Sequence, residues 1–357
     1  MKVTVISGRE LTPDLAAIWS RIQERNPSLR SPYFRPEFTQ AVADVRADVY
    51  VGVIDEGNQT IGFFPFQRRR VKQGVPVGGP MSDYHGVIID ENVTFSPEYL
   101  LRQCGLWTWT FDHLIAAQAH FLPGAWLGSE SPCISLTGNW DAYRLERESA
   151  GSRVVEQTER KQRKFEREVG SLHFVVDVKD CAVLHQVITW KSQQYQRTGL
   201  VDLFGFAWAR QLLERLLEIQ TDDFAGLLSA LFSNDRVVAA HMGMRSDKVW
   251  HWWFPTYDHE FGDYSPGAIL LHRMIQSVSG MGIAEIDLGK GDDGYKRRFA
   301  NATVPLAEGS VIVNPIVRIA RTFGERAWQM ARNSPLHILG RVPARAIRRI
   351  RRWHALR

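Results

Sequence analysis

The stretch WHWWFPTYDHEFGDYSPGAILL, residues 250 to 271, decides how this chain is read. Its first five residues are bulky and aromatic, which suits a strand. Alternation puts Trp250 and Trp252 on one face and His251 and Trp253 on the other. Ser265, Pro266 and Gly267 then lead into Ala268, Ile269, Leu270, Leu271, Met274, Ile275 and Val278, which are apolar at helical spacing. Serine followed by proline starts a helix, because the hydroxyl can cap free N–H groups and proline lacks one that the first turn would leave unpaired. A sharp entry into an apolar helix leaves outward N–H groups whose partial positive charge suits a pyrophosphate or another anion. An ordinary capped helix after a loop carries the same signature.

Outward from this stretch, Gly280 and Gly282 close the helix before a strand at 284 to 288. Residues 289 to 294 form a glycine-rich loop, a short helix opens at Tyr295, and closing strands run through Val313. Upstream, 185 to 195 and 206 to 217 read as helices, and 224 to 232 and 236 to 245 read as strands around Asn234 and Asp235. The second half is therefore expected to be α+β. In the first half, Thr12, Pro13 and Asp14 start a helix, and 49 to 54 and 61 to 66 read as a hairpin. That hairpin echoes the one at 224 to 245, a sign of internal duplication. Residues 74 to 86, with Asp83, Tyr84 and His85, are too irregular for helix or strand and suit a pocket rim. A basic, polar helix with Arg153, Arg160, Lys161, Arg163, Lys164 and Arg167 bridges the halves; its charge fits phosphate or simple solvation. The expected divisions are 1 to 160, 161 to 315 and a basic tail, 316 to 357.

With 357 residues, 44% hydrophobic and 23% charged, the composition is that of a globular protein, which excludes disorder as the main state. The formal charge is +5, yet residues 318 to 357 hold eleven Arg and one Glu, so the remainder is mildly acidic. The segment from Arg341 to Arg357 fits peripheral contact with an anionic membrane, or an amphipathic helix with solvated charges. Cys104, Cys133 and Cys181 match no metal or disulfide spacing, and no window is apolar enough to span a bilayer. A cytoplasmic location follows as the expectation, at the inner face of the membrane if the tail binds it.

A Walker motif, a calcium loop, a Gly-x-Ser-x-Gly elbow, His-Glu-x-x-His and a Rossmann fingerprint are all missing from the sequence, so no metal is expected. Four residues remain as candidate chemistry. His251 is a candidate base, since an imidazole titrates near neutrality, and reads equally as a hydrogen-bonded structural histidine. Asp287 ends a strand, and Tyr295 and Lys296 follow in the next turn, where they could supply a proton or meet a leaving group. The alternatives for these three are a capping Asp, a packing Tyr and a solvated Lys.

The residues Val238, Ala239, Ala240 and His241, then 250 to 254, Tyr257, Asp258, Phe261, Tyr264 to Gly267, Leu270 and Leu271, and finally Asp287, Gly289, Gly291, Tyr295, Lys296 and Phe299, resemble a known family. It is the CelD-like, acetyltransferase-like family of bacterial cellulose and exopolysaccharide biosynthesis, a branch of the GNAT superfamily. The resemblance covers most of residues 40 to 310. It implies tandem GNAT-like domains in a FemAB-like arrangement, with mixed, largely antiparallel sheets flanked by helices. It also implies acetyl-CoA or another acyl-CoA as donor, bound at Tyr264, Ser265, Pro266, Gly267, Ala268 and Ile269. This turn departs from the usual Arg/Gln-x-x-Gly-x-Gly/Ala loop in having a single glycine and a proline. The implied acceptor is a saccharide, a nucleotide sugar or an envelope precursor, handled with polysaccharide-producing machinery. Within that reading Tyr295 is the proton donor, His251 or Asp287 the base, and Lys296 a contact to phosphate or an acidic acceptor. Two alternatives are an aminoacyl transferase using charged transfer RNA and a non-catalytic scaffold of a polysaccharide-producing complex.

Overall fold

A computed structural model describes residues 1 to 278, 280 to 291 and 294 to 319. The expected contact of residues 341 to 357 with a membrane lies outside the described residues. Among those described, no helix is long and apolar enough to cross a membrane.

The chain begins with β1 (Lys2–Ser7), α1 (Pro13–Arg25) and α2 (Pro36–Val45). Thr12 caps α1 as its spacing predicts, its Oγ1 accepting from Leu15 N–H. There follow β2 (Val49–Glu56), β3 (Gln59–Arg69), β4 (Gln73–Val75), β5 (Ile88–Ile89), α3 (Pro97–Gln103) and β6 (Thr108–Ile115). Next come β7 (Ala125–Ser135), α4 (Trp140–Ser149), α5 (Val154–Glu168), β8 (Leu172–Val175), α6 (Cys181–Arg197) and α7 (Ala207–Glu218). The remaining elements are β9 (Phe224–Ser233), β10 (Arg236–Ser246), β11 (Val249–Tyr257), α8 (Pro266–Val278), β12 (Glu285–Asp287), α9 (Gly294–Phe299) and β13 (Ala302–Ile312). The closing strands expected through Val313 are one strand, β13, long enough to pair on both of its edges.

All strands join one sheet in the order β1-β2-β3-β4-β6-β13-β7-β12-β11-β10-β9-β8, with β5 on β3. Each half repeats one pattern: four antiparallel strands, a fifth parallel to the fourth, and a sixth antiparallel to the fifth. The hairpins β2-β3 and β9-β10 hold equivalent places, so the echo between 49 to 66 and 224 to 245 is a repeat of structure. The sixth strands are exchanged. β7 follows β6 in the chain but pairs with β12, and β13 follows β12 but pairs with β6. β13 and β7 then pair with each other from Ala302 with Cys133 to Gly309 with Ala125, which closes the seam. The sheet halves therefore trade strands across the chain division expected at 160.

Strands β9 to β11 are buried along nearly their whole length because helices cover both faces. On one face Phe224, Leu228, Ala240, Met242 and Phe254 pack with α6 and α7, and this core continues into Trp19, Phe34 and Phe38 of the first half. On the other face Ala225, Leu227, Trp250 and Trp252 pack under Ile269, Leu270, Leu271 and Met274 of α8. The shared core on the first face brings the loop at 82 to 86 over β11 and β12.

Candidate active site

Strands β11 and β12 run parallel for three pairs, Val249 with Glu285, Trp250 with Ile286 and His251 with Asp287. β11 continues to Tyr257, whereas β12 stops and the chain turns through Gly289 at φ 71°. The sheet thus opens at His251 and Asp287. On the other edge of β11 the register slips, because Met242 pairs with Phe254 but Met244 with His251. The slip leaves Trp253 N–H donating to the His241 ring, 3.1 Å from Nε2. Gly243 is required there, since an added Cβ would lie 2.4 Å from the His241 ring and from His251 O.

His251 faces the shared core and is fully buried. Its Nε2 lies 3.0 Å from Asp83 Oδ2, and its Nδ1 lies 3.5 Å from Asp287 Oδ1. Asp287 Oδ1 also accepts from Ser131 Oγ at 2.8 Å and from Gly289 N–H at 2.6 Å. Lys296 Nζ, likewise buried, donates to Gly289 O at 3.2 Å. Tyr33 sets its ring edge against His251 at 5.0 Å. Gly289 packs tightly too, with an added Cβ only 3.2 Å from Asp83 Oδ2.

Electrostatics follow from these contacts. Burial acts to lower the His251 pKa, but the hydrogen bonds and charges of Asp287 and Asp83 outweigh it and raise the value to about 9. Burial likewise opposes the charged form of Asp83, yet the His251 hydrogen bond and the charges of His251, His113 and Lys296 hold it well below the usual carboxylate range. Asp287 is lowered in the same sense, against its own burial, chiefly by His251. At neutral pH the unit is an imidazolium between two carboxylates. In that state His251 fits the hydrogen-bonded structural histidine, the second of the two readings its sequence leaves open. Burial and the nearby carboxylates keep Tyr33 and Tyr84 protonated.

Tyr295 lies on the opposite face. It is half-buried against the α8 core, and its phenol oxygen accepts from Trp252 Nε1–H at 3.3 Å. The structure thus brings His251, Asp287 and Lys296 together and sets Tyr295 apart from them, because adjacent strand residues His251 and Trp252 point to opposite faces. Both groups flank the place where β11 and β12 part.

The six residues expected to hold a donor stand at the start of α8. Ser265 is exposed and adopts the left-handed region at φ 55°, an uncommon conformation for serine. Its carbonyl accepts from Ala268 N–H at 2.9 Å and Ile269 N–H at 3.3 Å. Two of the amides that the sequence pattern offers to an anion are therefore engaged, and Pro266 has none. Gly267 N–H remains without a backbone acceptor among the described residues. Helix α5 supplies charge in compensation: Lys161 Nζ donates to Asp263 O, and Lys164 Nζ stands 5.2 Å from the Tyr264 ring centre. Phe165 anchors α5 there by packing on Phe261 and Tyr264 at 5.2 Å each.

Sequence reading missed Asp83 as a site residue, although it quoted the segment as a pocket rim. It also missed Ser131. Neither is near 251 or 287 in the chain, and nothing local marks them. Cys104 and Cys133 have no support as thiol nucleophiles, because burial pushes Cys104 up to about 12 and raises Cys133 further, helped there by Glu285 and Asp287. His85, Asp112 and His113 come within metal-ligand distance of one another. Both His85 nitrogens are engaged, however, with Ser82 O and with His113 N–H at 3.2 Å each.

Residues 152–297 match the family model of the acetyltransferase (GNAT) domain. No curated protein sequence matches the chain. The chain is similar to the crystal structure of FemX, with a TM-score of 0.56 at 9% identity over 89% of this chain and 99% of that one. A conserved protein of unknown function from Bacteroides thetaiotaomicron gives 0.53 at 10% identity over 84% and 97%. A tandem GNAT protein from the clavulanic acid biosynthesis pathway gives 0.50 at 8% identity over 88% and 99%. At such identities the likeness is one of fold, and the chain has an α+β GNAT-like fold with a mixed sheet flanked by helices.

Proposed function

We propose that the chain is an acyl-CoA-dependent N- or O-acyltransferase, its two halves forming tandem GNAT-like domains and its second half carrying the donor. The observation that carries this reading is the parting of β11 and β12 with a phenol on one face and a carboxylate on the other. A thioester entering that opening from the α8 side meets Tyr295 on its own side and the Asp83 cluster beyond. Asp83 is the reachable member of that cluster, with its side chain 26% exposed against 0% for His251 and 1% for Asp287. Its lowered pKa makes it too weak a base for the free hydroxyl or amine, so it takes the proton once that atom has attacked the acyl carbon and become acidic. The C–S bond breaks, and Tyr295 protonates the departing thiolate. His251, held by Asp287, fixes the orientation of Asp83.

The phosphates of the donor would meet Gly267 N–H, Lys161 and Lys164. Replacing both lysines with alanine is expected to raise the Kd for acetyl-CoA roughly thirtyfold at low salt, from about 1 kcal/mol per exposed charge, and to flatten its salt dependence. Calorimetric titration at two ionic strengths checks this. An unchanged Kd would place the phosphates elsewhere.

The acceptor class we propose is a saccharide, nucleotide sugar or envelope precursor, supported by the resemblance of residues 238 to 299 to the exopolysaccharide biosynthesis family. Thiol release from acetyl-CoA in the presence of amino sugars, neutral sugars and nucleotide sugars tests the whole reading. The expected result is acetyl-CoA binding and acceptor-dependent thiol release. Failure to bind any acyl-CoA sinks it. Likeness to FemX over most of the chain favours a second reading, aminoacyl transfer from charged transfer RNA. That reading predicts activity destroyed by ribonuclease and no coenzyme A binding.

A further inference from the structure

Asp83 is the meeting point of two Asp–His pairs, and only one of them has been used so far. From the second half come Asp287 and His251. From the first half come Asp112 and His113, adjacent within β6, with His113 Nδ1 2.9 Å from Asp112 Oδ1 and Nε2 3.8 Å from Asp83 Oδ1. Carboxylate and imidazole thus alternate through five residues, Asp287, His251, Asp83, His113 and Asp112. Side-chain exposure rises among the three carboxylates, from 1% at Asp287 through 26% at Asp83 to 64% at Asp112, with the imidazoles between them at 0% and 16%. Sequence reading found no signal for this, since the residues come from four separated segments.

We propose that His113 and Asp112 form the proton exit of the active site, carrying the acceptor's proton from Asp83 to solvent. This rests on the acyl-transfer reading above. The acceptor's O–H or N–H bond breaks as a bond to an Asp83 oxygen forms. That proton passes to His113 Nε2, the 3.8 Å gap closing by a small shift or one bridging water. Asp112 Oδ1 accepts from the Nδ1–H throughout and steadies the imidazolium, and the ring gives its Nε2 proton to water, which its 16% exposure permits. Water returns one proton to the Tyr295 phenolate, so acyl transfer is proton-neutral overall and every group is regenerated.

The surroundings favour this direction. Burial acts to lower the His113 pKa, but the Asp112 hydrogen bond and the charges of Asp112 and Asp83 raise it, so the ring readily holds the transferred proton. His85 sits beside Asp112 at 3.6 Å, but burial lowers its pKa to about 4, so it stays neutral and off the path. Lys290 donates to Asp112 O and pairs with Glu308, which closes the other side. Lys296, Tyr33 and Tyr84 face the Asp83 end, where the lysine favours the ionised carboxylate and the phenols stay protonated.

The test measures thiol release from acetyl-CoA with water as the acceptor, so that the natural acceptor need not be known. His113→Ala is expected to lower kcat at least tenfold with KM for acetyl-CoA unchanged, and added imidazole is expected to restore the rate in proportion to its neutral form. Asp112→Asn, a change at an exposed position, is expected to give a smaller loss and to move the pH–rate profile. Rates within twofold of the parent in both variants, or a loss in His113→Ala that imidazole does not restore, overturn the proton exit. A second readout needs no turnover: in Asp83→Asn, the His113 ring followed by nitrogen NMR should titrate at lower pH. An unmoved titration also overturns the proposal. A parent protein that binds no acyl-CoA while this shift is seen sinks the acyl-transfer reading, not the coupling of the two pairs.

Discussion

Replacing His251 with glutamine is expected to lower the unfolding free energy by about 3–5 kcal/mol near neutral pH, because it leaves two buried carboxylates without the cation between them. Asp287 keeps Ser131 Oγ and Gly289 N–H as donors, but Asp83 loses its 3.0 Å partner. The loss should depend on pH in a way that identifies its source. His251 titrates at about 9 in the folded chain and near 6.5 when unfolded. Its contribution is therefore complete below about 6.5 and is lost as pH rises through 9. Other groups act in different windows. Burial and the Asp287 charge raise Glu285 to about 7, so its penalty grows as pH rises through the range just above 4.5 and is complete a little above 7. His85 and His272, lowered by burial to about 4, cost stability only as pH falls below about 6.5. His113 and the buried thiols Cys104 and Cys133, also raised, act in the interval from 7.5 to 9.5 as well, but in both proteins alike, so the difference between parent and variant isolates the imidazolium. Urea unfolding at both ends should show the parent losing more stability across it than His251→Gln. Parallel slopes in the two proteins would mean that His251 is neutral in the fold, and the assignment of Asp83 as its partner base would fall with it.

What the sequence disclosed depended on how local the signal is. The strand at 250 to 254, the turn at Ser265 and Pro266 and the apolar face of α8 are fixed by neighbours within a few residues, and all are found in place. The two hairpins were visible for the same reason, since a hairpin pairs adjacent segments. Strand exchange was not visible, because β7 and β13 are equally apolar wherever they pair, and only the assembled sheet selects their neighbours. Within the site, Asp287, Lys296 and Tyr295 were found from their position around a strand end. Their division between two faces was not, since it turns on the alternation of His251 and Trp252 combined with the partners each face meets. Asp83 is 168 residues from His251, and no periodicity connects them. The same distance explains why the sequence leaves both readings of His251 open: an isolated imidazole titrates near neutrality, and only two carboxylates from remote segments make it a resident cation.

Tyr295→Phe is expected to slow acyl transfer by roughly 10²–10⁴-fold, the usual scale of a positioned proton donor. The phenol also has a structural duty, so the catalytic and structural effects must be separated. Its oxygen accepts from Trp252 Nε1–H at 3.3 Å, and Trp252 is buried, so removing the hydroxyl leaves an indole donor short of that acceptor. Such a loss costs about 1–3 kcal/mol of stability. Trp252→Phe breaks the same hydrogen bond from the other end and leaves the phenol in place. If the hydrogen bond alone mattered, the two variants would lose similar activity, with Trp252→Phe the worse because it also opens a cavity against α8. If Tyr295 protonates the thiolate, Tyr295→Phe loses far more kcat while its melting temperature falls less, and its KM for acetyl-CoA stays close to that of the parent. The ordering of two kcat values against two melting temperatures therefore decides between a packing tyrosine and a proton donor. Equal kcat losses in the two variants would remove Tyr295 from the chemistry and leave the opened sheet with a base on one face and no acid on the other.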